Sequence, residues 1–83
     1  MKIEILPEIV GETNDTVSAG LYETIEVLYN EFGTVPEHNS KIKVDLFDFV
    51  FEYTLFDKLY EFNTTTQTLN ITLLFKQTGY YEN

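Results

Sequence analysis

Residues 41–56, KIKVDLFDFVFEYTLF, decide the fold class of this chain. Wound as a helix, this stretch would spread its apolar residues around the whole circumference and leave no polar face. As an extended chain it alternates, because Ile42, Val44 and Leu46 share one face and the alternation resumes one residue out of phase at Phe47. A β-bulge or a tight turn at residues 46–47 accounts for that slip. The stretch is therefore predicted to be extended.

The strand after this phase slip has an inward and an outward face. Aromatic and β-branched residues favour strands, which supports the extended interpretation. Five side chains are predicted to face the core: Phe47, Phe49, Phe51, Tyr53 and Leu55. Of these, Phe49 and Phe51 are expected to be buried. Four side chains are expected on the outward face, and the two carboxylates among them are expected to be solvated: Asp48, Val50, Glu52 and Thr54.

A helix is predicted to precede this stretch and to run to about residue 32. Asn14 or Asp15 can cap its start, and Gly33 can end it in the left-handed conformation. Five apolar residues follow the spacing of a single helical stripe, which usually packs on a core: Val17, Leu21, Ile25, Leu28 and Phe32.

The other helix positions are predicted to lie outside this stripe. Glu23, Glu26 and Glu31 fall away from it and are expected to be solvated. Tyr22 and Tyr29 are seven residues apart, which places them two turns from each other along one flank of the helix.

Two further strands flank these elements. Residues 2–10 alternate, and Pro7 is predicted to place this strand at a sheet edge or to break it there, because proline donates no ladder hydrogen bond. A turn at residues 57–58 is expected to lead to a short strand at 59–62 and a loop at 63–66. Residues 68–76 alternate as the last strand, with Leu74 on its outward side, and residues 77–83 are predicted to be loose.

The sum is an α+β fold. We predict one amphipathic helix packed on a mostly antiparallel sheet of three to five strands, in the order β-α-β-β-β, within a single domain spanning residues 1–83. A helix that covers one face leaves the other face open. On that open face, Val50 and Leu74 are expected to form an interaction patch surrounded by carboxylates.

The charge balance restricts the partners. Fourteen carboxylates face five lysines, no arginine is present, and the net charge is −9. Such a surface repels nucleic-acid phosphates and anionic lipids, so direct binding to nucleic acid or membrane is not expected. No signal peptide is visible, and a cytoplasmic protein is predicted. That the acidity serves only solubility stays an open alternative.

The residues for nucleophilic or metal chemistry are sparse. The chain has no cysteine, one histidine (His38) and two serines (Ser18 and Ser40). One imidazole without a thiolate cannot fill a typical zinc site, and no calcium-loop pattern or glycine-rich phosphate loop occurs. We expect no metal, no cofactor and no catalytic residue, and therefore a protein that is not an enzyme.

The carboxylate pattern suggests a function. Rows of carboxylates on the helix and on a strand can imitate nucleic-acid phosphates toward a protein that binds them with Lys and Arg. In size, charge and aromatic content the chain resembles the small acidic inhibitors made by phages and mobile elements. That resemblance implies a DNA mimic that occludes a basic, nucleic-acid-binding surface of a host protein. The candidate partner-binding residues are Asp48, Val50, Glu52, Glu23, Glu26 and Leu74.

Two other classes of function stay open. The chain could be a structural or assembly protein, acting as a homo-oligomer such as a homodimer or as a subunit, with the sheet or the helix flank as its interface. An enzyme is the least favoured class, because an 83-residue chain with one helix on a sheet offers little room for a cleft.

Overall fold

The computed structural model describes residues 1–82 as one helix lying on a four-stranded sheet. The elements in chain order are β1 (Lys2–Val10), α1 (Asp15–Phe32), β2 (Lys41–Leu46), β3 (Phe49–Asn63) and β4 (Thr68–Glu82). The α+β class and the order β-α-β-β-β are those that the sequence predicts.

The sheet is mixed, with the strand order β1-β4-β3-β2. β2, β3 and β4 follow one another as antiparallel hairpins, whereas β1 pairs in parallel with β4. The edge position predicted for the strand that contains Pro7 is confirmed, because within residues 1–82 β1 has a sheet neighbour, β4, on one side only.

Both ends of α1 are capped by the residues that the sequence indicates. The Asn14 side-chain oxygen accepts a hydrogen bond from the Val17 amide at 2.8 Å. Gly33 has a φ of 65°, and its amide donates to the Tyr29 carbonyl at 2.9 Å. A left-handed residue at this position satisfies the last carbonyls of the helix, which is the geometry that glycine adopts most easily.

The core lies between α1 and the concave side of the curled sheet. The helix approaches the two edge strands most closely, at β2 and β1. At Gly20 the helix comes so near to Val44 of β2 that a side chain in place of the glycine hydrogen would meet a Val44 methyl group. The buried apolar residues are Val17, Leu21, Ile25, Val44, Tyr53, Leu55, Ile71, Leu73 and Phe75.

The buried stripe of the helix is shorter than predicted. It ends at Ile25, since Leu28 is half-buried and Phe32 is 73% exposed. Phe32 lies about 10 Å further along the helix axis than Ile25, at a rise of 1.5 Å per residue. The last two turns of α1 therefore pass beyond the closely packed part of the core.

The phase slip in the decisive stretch is a two-residue turn. Leu46 and Phe49 are paired, which leaves Phe47 and Asp48 to form the connection between β2 and β3. Phe47 was predicted to face the core, but it is 96% exposed and has a φ of 53°. Asp48, which was predicted to lie on a strand face, also lies in this turn.

The predicted burial of two phenylalanines is wrong for Phe49, which is exposed, and partly right for Phe51, which is half-buried. The physical reason is length. An 18-residue helix spans about 27 Å, whereas the molecule is 47 Å long, so this end of the hairpins has no helix above it. Both rings pack against Tyr80 instead, with centroids 5.5 Å away for Phe49 and 5.1 Å for Phe51.

β3 and β4 are longer than predicted. The expected turn at residues 57–58 is absent. The pairing with β4 shifts register between Leu55 and Asp57, and β3 continues through this shift to Asn63. Residues 77–82, predicted to be loose, extend β4 and pair with the first part of β3. Asn83, the last residue of that predicted tail, lies outside the described residues.

Candidate functional site

The positive charges of the described chain are confined to the sheet, whereas carboxylates also lie on the helix and in the connections. All five lysines lie on strands, at Lys2, Lys41, Lys43, Lys58 and Lys76. α1 has no basic residue, and its charged side chains form what we call the acidic helix surface, which comprises Asp15, Glu23, Glu26 and Glu31. All four are exposed, because the apolar stripe that faces the core occupies the other side of the helix.

The carboxylates of the acidic helix surface are not neutralised by neighbours. Glu23 and Glu26 are three residues apart, a spacing at which side chains on a helix approach one another and like charges repel. The ion pairs Lys2–Glu4 (2.9 Å) and Lys41–Glu52 (3.7 Å) lie on the sheet. The acidic helix surface therefore presents uncompensated charge to solvent.

Glu52 is placed differently from the other candidate carboxylates. It was expected to be solvated, but it is only 6% exposed on the open face of the sheet. Thr78 donates its hydroxyl hydrogen bond to one carboxylate oxygen at 2.9 Å, and Tyr81 donates to the other at 3.2 Å. Thr54 supports this arrangement through a 2.8 Å contact with the Thr78 hydroxyl. Glu52 is thus a structural group between β3 and β4.

The neighbours of Glu52 favour its charged form. The Thr78 hydroxyl holds the pKa of the carboxyl below its ordinary value of 4.5, against the opposing effect of burial. The Tyr81 hydroxyl and the charges of Lys41 and Lys43 lower this pKa further. Because the pKa is lower in the folded than in the unfolded chain, the stabilisation is present above about pH 4.5 and is lost as the pH falls through the folded-state pKa.

Replacing Glu52 with glutamine is expected to lower the melting temperature at pH 7. The amide keeps the shape of the side chain but lacks the charge that Lys41 and the two hydroxyls stabilise. The difference from the parent protein should shrink as the pH falls through the folded-state pKa, which lies below 4.5, because the parent carboxyl then becomes protonated. Thermal unfolding of both proteins, followed by circular dichroism across this pH range, measures the effect.

The matched control is Glu61→Gln, which removes the same charge from an exposed position of β3. It should leave the melting temperature nearly unchanged at each pH. Equal melting temperatures for Glu52→Gln and the parent protein at pH 7 would show that the charge of Glu52 contributes nothing to stability.

Val50 and Leu74 do not form a common patch. Both are half-buried on the open face, but Val50 lies opposite Tyr81 and Leu74 lies opposite Asp57. Tyr81, the partner of Val50, is seven residues from Leu74 along β4, which is about 23 Å at the rise of a strand. Leu74 also lies beside Glu8 of β1, so it is flanked by carboxylates without an apolar partner from Val50.

No cluster of three or more histidine, cysteine, aspartate or glutamate side chains suited to a metal ion occurs within residues 1–82. His38 is exposed in the connection between α1 and β2. Ser40 donates its backbone amide to the Glu37 carbonyl at 3.0 Å and its carbonyl accepts from the Leu55 amide at 2.9 Å, so this segment is held to β3 by its backbone.

A groove between α1 and β1 is a feature that the sequence did not predict. It has a volume of about 610 Å³ and is lined on the helix side by Tyr22, Ile25, Glu26, Tyr29 and Asn30. The wall on the sheet side comprises Ile3, Ile5, Leu6, Pro7 and Glu8 of β1. The spacing of Tyr22 and Tyr29 places them on one flank, but only the parallel pairing of β1 with β4 shows that this flank faces an edge strand.

Comparison of the chain with protein-family models, with curated proteins and with solved structures gives no match. Within residues 1–82, no helix combines the length and the apolar character needed to cross a membrane.

Proposed function

We propose that this chain is a small acidic protein-binding domain, and that its acidic helix surface covers a basic, nucleic-acid-binding surface of a partner protein. The observation that supports the proposal most strongly is the segregation of charge. Four exposed carboxylates lie on α1, whereas every lysine lies on a strand. Since no opposite charge shields it, this side of the molecule projects a negative potential toward an approaching partner.

The arrangement suits recognition of a surface rich in Lys and Arg. Complementary charge accelerates encounter and fixes the orientation of the two proteins. The helix holds its four carboxylates in a fixed arrangement on one side, so a protein that normally binds phosphates meets several negative groups at once. By occupying that surface the chain would act as an inhibitor that imitates nucleic acid, and it would act in the cytoplasm, where such partners meet nucleic acid.

Capture from the cells that produce the chain tests this proposal. The immobilised parent protein should retain a nucleic-acid-binding protein, and added duplex DNA or RNA should release it by competition. The helix-reversed variant, Glu23→Lys with Glu31→Lys, should lose this capture because it changes the sign of the charges that face the partner.

The matched control is a sheet-reversed variant, Glu61→Lys with Glu82→Lys. It changes the net charge by the same amount at exposed positions on strands, and it should capture the partner as the parent does. Equal loss in both variants would mean that net charge alone matters. Undiminished capture by the helix-reversed variant would contradict the proposal.

A second candidate function, self-assembly, is favoured by the aromatic residues at the end of the sheet. Phe47, Phe49 and Tyr80 are exposed there, beyond the reach of the helix. Apolar association between chains of charge −9 should strengthen with salt, because screening reduces their repulsion. Sedimentation velocity at low and high salt therefore separates this function from charge-led binding, which weakens with salt.

A further inference from the structure

The free edge of β1 lies beside the groove between β1 and α1. β1 pairs with β4 on one side and has no sheet neighbour on the other within residues 1–82. An edge strand offers unpaired amide and carbonyl groups to any extended chain that can approach it. The groove runs along the same strand, so these backbone groups border a concave surface.

The direction of the free backbone groups follows from one hydrogen bond. The Lys2 amide donates to the Gln67 carbonyl at 3.0 Å, so Lys2 directs its backbone groups toward β4. Successive residues of a strand direct these groups to opposite sides, so Ile3, Ile5, Pro7 and Ile9 direct theirs to the free edge. Proline has no amide hydrogen, and the donors therefore available before Pro7 are those of Ile3 and Ile5.

The groove borders the part of the edge that keeps its donors. Its sheet wall includes Ile3 and Ile5, and its helix wall includes Tyr22 and Tyr29. Ile3 and Tyr22 are each 40% exposed, so apolar surface as well as backbone is accessible there. An added strand would bond to the edge and place alternate side chains between β1 and the helix, which is how β-strand addition combines affinity with specificity.

The charges around the groove indicate the chemistry of its occupant. Glu8 lies on the sheet wall and Glu26 on the helix wall, and no lysine lines the groove. Lys2, at the start of the strand, is paired with Glu4 at 2.9 Å. A second copy of this chain is a poor occupant because each copy carries a net charge of −9. A segment with alternating apolar and basic side chains complements both the apolar walls and the acidic rim.

From these observations we infer that β1 accepts an extended, apolar and basic segment of a partner protein as a fifth strand. The inference deepens the proposed function and depends on it, since the same basic partner would supply the segment. The acidic helix surface then attracts the partner, while the edge of β1 at Ile3 and Ile5 and the groove hold one strand of it.

The test uses the whole chain, labelled with nitrogen-15, and a seven-residue peptide of alternating valine and lysine as the probe. Binding should shift the amide resonances of Ile3 and Ile5 and slow the hydrogen exchange of these two amides. A peptide of the same composition, with its valines and lysines in two separate blocks, carries the same charge but cannot present one apolar face. It should bind at least about tenfold more weakly, the factor that corresponds to loss of roughly one net hydrogen bond with its apolar contact.

Two variants locate the binding. Ile3→Pro removes one outward donor without removing a bond to β4, and it should weaken binding of the alternating peptide about tenfold. Ile3→Val keeps the donor and should bind as the parent does. Tyr22→Ala, at a half-exposed position, should weaken binding by removing part of the helix wall.

Several outcomes would overturn the inference. If the alternating and block peptides bind equally and shift only resonances of α1, the groove has no role, although charge-led binding by the acidic helix surface remains supported. Peptide-free dimerisation through β1 would assign the edge to a second copy. Absence of any binding by the alternating peptide would also refute strand addition. The helix-reversed variant tests the proposed function separately, because Glu23 and Glu31 do not line the groove.

Discussion

Truncating Phe75 to alanine is expected to lower the free energy of unfolding by about 3–5 kcal/mol. The Phe75 ring is completely buried, and the residue pairs with Ile9 of β1 on one side and Leu55 of β3 on the other. Its removal leaves a cavity where the strands and the helix meet. A domain of this size buries only about 60% of its unfolded surface, so the loss would consume much of a total stability of about 5–15 kcal/mol.

Urea denaturation followed by circular dichroism measures this effect. The matched control is Phe47→Ala, which removes the same atoms from a ring that is 96% exposed. Its midpoint should stay close to that of the parent protein, and its free energy of unfolding should differ from the parent value by no more than about 0.5 kcal/mol. A Phe75→Ala midpoint that coincides with the control would mean that the core is not centred on β4.

Replacing Gly20 with valine is expected to cost about 1–3 kcal/mol. Glycine weakens a helix, so most substitutions at an exposed glycine would stabilise α1. At position 20 the sign reverses, because an added Cβ would lie 2.8 Å from the Val44 Cγ1 atom of β2. Val44 is branched at Cβ and adopts few rotamers, so it cannot move aside without displacing the strand.

Two further variants isolate the steric cause. Ala19→Val introduces the same side chain one position earlier, where the helix is exposed, and should cost only the difference in helix propensity, about 0.5 kcal/mol. Val44→Ala combined with Gly20→Val should recover part of the loss, since it removes the methyl group that the new side chain meets. If Ala19→Val and Gly20→Val are equally destabilising, close approach of α1 to β2 is not the cause.

The elements that local chemistry determines were predictable from the sequence. Asn14 and Gly33 bound the helix because a side-chain acceptor and a left-handed glycine satisfy its terminal backbone groups. Pro7 indicated an edge strand because proline donates no hydrogen bond. The phase slip at residues 46–47 predicted a break in alternation, and the structure has a two-residue turn there.

The parts that depend on tertiary contacts were not predictable in the same way. Alternation predicted the inward direction of Phe49, but whether a helix lies above it depends on the relative lengths of α1 and the β3–β4 hairpin. The prediction that Glu52 is solvated was wrong for a related reason. Its hydrogen-bond donors, Thr78 and Tyr81, belong to the tail that was predicted to be loose. Composition and alternation carried no signal that this tail pairs with β3.

The candidate site was predictable only in part. Glu23 and Glu26 lie on the exposed side of the helix as the apolar stripe indicated, and both remain candidates for partner binding. The expected patch of Val50 and Leu74 required the two residues to be adjacent across strands, and the register separates them. The groove beside Tyr22 depends on the parallel pairing of β1 with β4, which joins residues far apart in the sequence.

Binding of a basic partner by the acidic helix surface through its charge can be measured as an association rate. The rate with the captured partner is determined as a function of ionic strength, for the parent, helix-reversed and sheet-reversed proteins. We expect the parent and the sheet-reversed protein to associate rapidly at low salt and to slow steeply toward physiological salt, where the screening length is about 8 Å. The helix-reversed protein should associate slowly at every ionic strength. Equal rates for the helix-reversed and sheet-reversed proteins, or a parent rate independent of salt, would contradict the claim.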